Sequence, residues 1–319
     1  MTVSAVSAVS PSPDPRLLAV PELRVLVAVA RDGSFTAAAR HLDMTQSAVS
    51  HAVRSCERKT GVVLFDRGRH GARPTAAGEA AAAQARRILR LLESLGDEAR
   101  GAATGEVTGP LRIAAFRSAA VQVLPVALAR LTARHPGLVP KVRIVPDLGR
   151  GTVGEVADGR ADLAIATLDA AATDTTGLVA AALFDEPYAL VHPVGAADPR
   201  GLPLIDWAEN CSSYTRRWWS EQDWIPRATV DAGDDSVVLS MVARGLGMAV
   251  MPALALVGAP DTVAVTDLGP RRPTRQVGYA TTPELARTLP VRALIRELRS
   301  AAPAVPTGAA RPAGGSITA

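Results

Sequence analysis

Gln46, Ser47, Ser50, His51 and Arg54 fall on one face of a helix beginning near Gln46. All five donate or accept hydrogen bonds, and from a helix lying in a major groove they reach base edges and phosphates. The chemistry is duplex recognition, and it requires elements that hold the face outward. Thr45 is the residue type that caps such a helix, and Ser34 caps an earlier one whose apolar positions are Phe35, Ala38, Ala39 and Leu42. Asp43 and Met44 separate the two. Val49, Val53 and Cys56, at i, i+4 and i+7, form the stripe that packs the second helix on the first. The pattern predicts a helix-turn-helix, with Ser34 and Thr45 at helix starts joining the DNA-contacting candidates.

Beyond Gly61 the texture changes to GVVLFDRGRHGARPT (61–75), a short apolar strand followed by alternating Gly and Arg. Gly68 and Gly71 shape a tight loop bearing Arg67, Arg69, His70 and Arg73, either a basic wing against the phosphate backbone or a solvated basic loop. Residues 17–30 read as a helix ahead of the pair. Between positions 16 and 75, ten basic side chains stand against five acidic ones, an excess larger than the +4 of the whole chain. A basic head on a near-neutral remainder suits phosphate binding.

The chain's 319 residues, 48% hydrophobic and 21% charged, suffice for two globular domains. Residues 1–15 read as a disordered leader, 16–74 as the DNA-binding head and 75–104 as a long Ala-rich helix. In that helix Ala81, Ala85, Ile88, Leu92, Leu95 and Ala99 step by four and three, a heptad seam that pairs two chains unless it serves as a core helix. Gly101, Gly105 and Gly109-Pro110 mark a boundary. Strands and helices then alternate: strands at 111–116, 141–145 and 161–167, and helices at 118–133, interrupted at Leu124-Pro125, and 153–157. That is a βαβαβ unit with a parallel sheet. Further strands fall at 189–192, 229–232 and 248–252, helices at 236–244 and 290–300, and a structureless tail at 301–319. Two cysteines, Cys56 and Cys211, make no disulfide framework, and no 18-residue apolar run or signal peptide is visible, so the expected location is the cytoplasm.

The head resembles the LysR-type transcriptional regulators. The matching letters are Leu23, Val27 and Ala28, GSFTAAA (33–39), Leu42, TQSAVS (45–50), Glu57, Gly61, Leu64, Phe65, Arg67, Thr75, Ala77 and Gly78. A looser match continues through Leu111, Arg112 and Ile113, then Leu124-Pro125, Pro136, Gly159, DLAI (162–165), Val242-Ala243, GLG (245–247) and Pro252. The resemblance implies an α/β chain with a winged helix-turn-helix, a dimerising linker helix and a two-lobed α/β effector domain similar to type 2 periplasmic binding proteins. On this reading the effector domain covers 109–300, with lobe I at about 109–167 and 268–300 and lobe II at about 168–267. It also implies promoter DNA as partner, a small-molecule co-inducer and no other cofactor, a homodimer through the linker helix building a homotetramer, and contact with RNA polymerase. Two positions depart from the pattern. His51 stands where relatives often carry Arg or Lys, giving a charge that is conditional near neutral pH. Cys56 stands where they usually carry Leu, either a small buried hydrophobe or a redox-sensitive thiol.

In a two-lobed α/β domain the ligand sits between strand C-termini and helix N-termini. That selects Arg117 and Ser118 after the first strand, Thr167 at the end of the third, and Asp235 with Ser236 at a helix start in the other lobe, together with Tyr214. Arg117 favours an anionic effector and Asp234 with Asp235 a cationic one, so the ligand's charge stays open. All four tryptophans, Trp207, Trp218, Trp219 and Trp224, cluster near Tyr214 as a pocket wall, a subunit contact or the packing of their own lobe. Five scattered His and two distant Cys give no metal-ligand spacing, and no GxSxG, P-loop or dinucleotide fingerprint occurs, so catalysis is not expected.

Overall fold

A computed structural model describes residues 14, 16–68, 71–168, 173–208 and 213–301, so nearly all of the expected leader and tail lies outside the described residues. The chain divides into two compact units, residues 1–93 and 94–319.

The first unit contains helices α1 (Val20–Asp32), α2 (Phe35–His41) and α3 (Gln46–Thr60), a hairpin of β1 (Phe65–Gly68) and β2 (Gly71–Pro74), and the start of α4 (Ala76–Thr104). Caps set the helix boundaries. Ser34 Oγ accepts from Ala37 N at 3.4 Å and Thr45 Oγ1 from Ala48 N at 3.2 Å, satisfying donors that a helix start leaves open. Asp43, at φ 56°, makes the left-handed corner between α2 and α3. The expected stripe is the core: Val49, Val53 and Cys56 are fully buried among Val29, Ala38, Ala39 and Phe65. Glu57 ties α3 to the hairpin by accepting from Leu64 N at 3.0 Å and Phe65 N at 3.3 Å. The hairpin is in turn docked on the corner after α1, where Ala72 N donates to Gly33 O at 2.8 Å. Gly71 is required for that approach, because a Cβ there would sit 2.2 Å from the same oxygen.

Of the two readings open for Cys56, the structure favours the inert one. Burial, with a smaller contribution from the Glu22 charge, pushes its thiol up to about 12, and the thiolate is the reactive form. In a Cys211→Ser variant at pH 8, a disulfide exchange reagent is expected to release no chromophore until denaturant is added. Rapid release from the native protein would restore the redox reading.

The heptad seam of α4 is not one continuous stripe. Ala81 packs against the core of the head and Ala85 is buried, whereas Ile88, Leu91, Leu92 and Leu95 are exposed, Leu95 at 65%. Small residues let the first turns of α4 lie close to the chain entering β1. At Gly78 a Cβ would meet Leu64 O at 1.9 Å.

The second unit receives the end of α4, where Glu98 accepts from Leu289 N at 3.1 Å. It continues through β3 (Gly109–Ala115), α5 (Arg117–Gln122), α6 (Leu124–Arg134), β4 (Leu138–Ile144), α7 (Gly151–Ala157), β5 (Leu163–Thr167) and β6 (Val179–Pro193). There follow β7 (Leu204–Trp207), α8 (Ser213–Ser220), β8 (Ala228–Ala232), α9 (Asp235–Ala243), β9 (Ala249–Pro252), β10 (Val263–Asp267), β11 (Thr274–Thr281) and α10 (Leu289–Ser300). Strands β4, β3 and β5 are parallel, as the sequence predicts, and β11 adds antiparallel to β5. Leu111, Ile113, Phe116, Leu124, Leu131 and Ile165 pack there with Leu294 and Leu298 of α10. This is lobe I.

β6 serves both lobes. Its residues 179–187 pair with β11, while 188–193 pair with β9 and β10 in lobe II. The passage between lobes therefore falls near Pro187, not at 168 as the sequence reading has it. A proline in mid-run and the polar pair Asp185-Glu186 conceal a strand of 15 residues. Within lobe II the tryptophans separate. Trp207 is buried with Ile205, Val238, Val242 and Met251, and Trp219 with Tyr188, Leu190, Leu204 and Val250. Trp218 stacks edge-on to Trp224 and donates from Nε1 to Arg271 O at 2.6 Å. Packing of their own lobe is what the four residues do.

Candidate nucleic-acid interface and interlobe site

α3 presents Gln46, Ser47, His51 and Arg54 as exposed side chains, with the fully buried Val49 and Val53 on the opposite side. Thr45 Oγ1, exposed at the helix start, caps α3 and lies 3.0 Å from Ser47 Oγ. Ser50 requires a correction. It is only 7% exposed and its hydroxyl accepts from Arg54 at 3.3 Å, so it steadies the arginine rather than facing outward. Ser50 lies at the edge of the apolar stripe, next to Val49 and one turn before Val53. Ser34 is half-buried and caps α2. Arg73 is exposed on β2. Arg67 lies on β1 with its side chain outside the described residues, as Arg69 is altogether.

The parallel register of β3 and β5 sets Ala115 beside Ile165, so both strands end at one edge, with Arg117 and Ser118 opening α5 there and Thr167 closing β5. Thr167 is only 7% exposed, and its hydroxyl has no partner among the described residues. Lobe II brings α9 to this edge. Asp234 caps α9, accepting from Ser236 N at 2.8 Å and Val237 N at 3.1 Å. The Ser236 hydroxyl, which hydrogen-bonds to the same carboxylate at 2.5 Å, and those amides hold Asp234 below the usual carboxylate range. Asp235 carries the contact between lobes: Arg117 donates to it at 2.5 Å, with side chains 41% and 11% exposed. The two candidates that argued for opposite ligand charges are each other's partner. Tyr214 lies in α8, its side chain outside the described residues.

A second ion pair lies beneath, unforeseen from the sequence. Arg275 of β11 and Glu186 of β6 stand opposite in register, with Nε to Oε2 at 2.7 Å and side chains 9% and 0% exposed. Glu186 also accepts from Leu254 N at 2.6 Å. The Arg275 guanidinium lies 4.6 Å from the centre of the Phe116 ring and donates to Ser118 Oγ at 3.4 Å. Burial by itself would lower its pKa; the Glu186 carboxylate, with Tyr188 and Asp147 contributing, raises it beyond the ordinary arginine value. The available signal was weak: an acidic pair, Asp185-Glu186, before a proline, and an arginine at the polar start of β11, TRQ (274–276).

Residues 21–79 match the family described as bacterial regulatory helix-turn-helix protein, lysR family, and residues 104–303 match the LysR substrate binding domain. Over 298 residues the chain is 35% identical to the "Probable HTH-type transcriptional regulator LrrA" of Synechococcus elongatus, covering 90% of this chain and 98% of that protein. Among solved structures, a full-length OxyR variant from Pseudomonas aeruginosa superposes with a TM-score of 0.67 at 22% identity, over 89% of this chain and 98% of that one. Full-length CbnR complexed with its target DNA gives 0.62 at 22% identity, over 89% and 100%. At those identities the two structures speak for the fold.

Proposed function

We propose that this chain, which belongs to the lysR family of bacterial helix-turn-helix regulators, reads promoter DNA through the exposed face of α3 and answers to a small molecule held where its two lobes meet. It is a DNA-binding transcription regulator with an effector-binding domain, not an enzyme. The single observation that supports the residue-level reading is the face itself: Gln46, Ser47, His51 and Arg54 stand exposed on a capped helix whose other side is fully buried. Arg73, with Arg67 and Arg69 of the same hairpin, takes the adjoining phosphates. Arg117, Ser118, Thr167 and Asp235, with Ser236 beside Asp235 and with Tyr214 of α8, receive the effector.

The deciding measurement is a binding titration on the DNA upstream of the chain's own gene. Affinity is expected to exceed that for random duplex at matched salt, and log affinity to fall linearly with log salt as phosphates are neutralised. Equal affinity for both duplexes would overturn the reading.

The exposed Ile88, Leu91, Leu92 and Leu95 of α4, at i, i+3, i+4 and i+7, support pairing of two copies through the linker helix. Pairs of dimers forming a tetramer, a contact with RNA polymerase, and work in the cytoplasm complete this reading. No helix of the described residues is long and apolar enough to cross a membrane. Leu92→Glu combined with Leu95→Glu is expected to lower the assembly mass in sedimentation and weaken binding to a two-half-site operator. An unchanged mass would move the dimer contact elsewhere.

A further inference from the structure

We infer that the interlobe site takes a zwitterion of the α-amino-acid type, whose carboxylate replaces Asp235 on Arg117 and whose ammonium replaces Arg117 on Asp235. The inference rests on the effector reading above and narrows it to a chemical class.

The accounting of charge at this edge carries it. Arg275 is matched by Glu186, whose two oxygens are engaged by the guanidinium and by Leu254 N, and Asp147 lies near enough to raise its pKa further. Asp234 is occupied by the Ser236 hydroxyl and the amides of Ser236 and Val237. These groups have hydrogen-bonding partners of their own, although the Arg117 charge also reaches Asp234. Arg117 and Asp235 differ: among the described residues each has the other as its hydrogen-bonding partner, and the two come from different lobes, 118 positions apart in the chain. A ligand entering between the lobes at this point must separate them.

The chemistry of separation discriminates among ligands. A simple anion that captures Arg117 leaves the carboxylate of Asp235, 11% exposed, without a cation, and an uncompensated buried charge is strongly unfavourable. A simple cation that captures Asp235 takes the hydrogen-bonded partner of Arg117, which at 41% exposure turns to water and to the nearby Asp234 charge at smaller cost but gives up its ion pair. A molecule carrying both charges on groups attached to one carbon exchanges one internal pair for two new ones and leaves neither Arg117 nor Asp235 without a partner. Two hydroxyls at the same edge remain for its neutral groups. Ser118 Oγ already has the Arg275 guanidinium as a donor, and the buried Thr167 Oγ1 is unpartnered. An unmatched buried hydroxyl is itself a reason for a ligand atom to settle there.

The experiment uses the full chain and three probe sets: the twenty proteinogenic α-amino acids, the carboxylic acids lacking their amino group, and the amines lacking their carboxylate. Thermal shift finds hits, since a ligand that binds the folded state raises its midpoint by mass action, and calorimetry measures them. At least one amino acid is expected to bind, with both of its single-charge counterparts at least tenfold weaker. Arg117→Ala and Asp235→Asn are each expected to weaken it at least tenfold. Arg117→Lys is the second variant should the alanine disturb folding, which circular dichroism melts will show. A counterpart that binds as tightly as its parent amino acid, or an Asp235→Asn variant of unchanged affinity, overturns the zwitterion while leaving an effector in place. So do hits confined to the acids or the amines. Silence from all three sets also overturns it. The effector reading is judged separately, by whether a cell metabolite extract alters promoter binding.

Discussion

Gln46→Ala is expected to weaken binding to the specific promoter site by about fivefold to a hundredfold while leaving affinity for unrelated duplex nearly unchanged. A carboxamide on a groove-facing helix pairs with adenine through two hydrogen bonds, and such a pair discriminates by ~1–3 kcal/mol. Gln46 is the first residue of α3, exposed, and held at that point by the Thr45 cap, so the truncation removes the contact without disturbing the helix start. Arg54→Ala should behave differently. Its guanidinium leans on the buried Ser50 hydroxyl, a geometry suited to a backbone phosphate. Affinity should fall on specific and random DNA alike, and the slope of log affinity against log salt should decrease by about one. Fluorescence anisotropy on both duplexes across a salt series separates the two behaviours. If the Gln46 variant lost the same factor on both DNAs, base readout would have to be assigned to Ser47 and His51.

Removing the carboxylate of Glu186 should produce the largest stability loss among the substitutions considered. Glu186→Leu leaves Arg275 charged, 9% exposed and deprived of its ion pair, and leaves Leu254 N without its acceptor. Breaking a buried pair from one side costs about 3–5 kcal/mol. For a domain of this size, each kcal/mol lowers the melting midpoint by roughly 2–4 °C. The effector domain's midpoint is therefore expected to fall by on the order of 10 °C, read by calorimetry. The double variant Glu186→Leu with Arg275→Met should recover much of the loss, since replacing both members of a buried pair by apolar residues is often close to neutral. A single variant as stable as the parent would mean that Arg275 can turn to solvent and is less enclosed than its neighbours indicate.

The helix-turn-helix was legible because its information is local. Caps at Ser34 and Thr45, and a stripe at Val49, Val53 and Cys56, each concern residues within two turns of one another, where helical periodicity applies directly. Ser50 was misassigned for the same reason: a residue at the border of a stripe is settled by a fraction of a turn. The parallel core was readable from its apolar runs and intervening glycines. The first half of β6 was not, since VAAALFDEPY mixes small, acidic and proline residues, and what holds it as a strand is its pairing with β11, some 90 positions away in sequence. The two ion pairs at the interlobe edge lie beyond reading in the same way. Arg117 and Asp235 were both picked out as ligand contacts, but their apposition depends on the closure of one lobe against the other.

The single strand shared by both lobes also bears on how such a chain can diverge. Side chains along β6 alternate in facing except at Leu183, where the register with β11 slips by one residue, and the residues on either side of Pro187 take their register from different partners, β11 before it and β9 with β10 after it. Inserting or deleting one residue there would turn every side chain of one half to the opposite face. It would move the buried Tyr188, Leu190 or Glu186 out of its core. Point changes at the ligand-facing positions carry no such penalty. Lineages descended from this architecture are therefore free to retune what the seam accepts by substitution, but should keep the length of β6 fixed between Phe184 and Pro193 and confine gains and losses of sequence to the irregularity at Leu183 and to the connections around the strand.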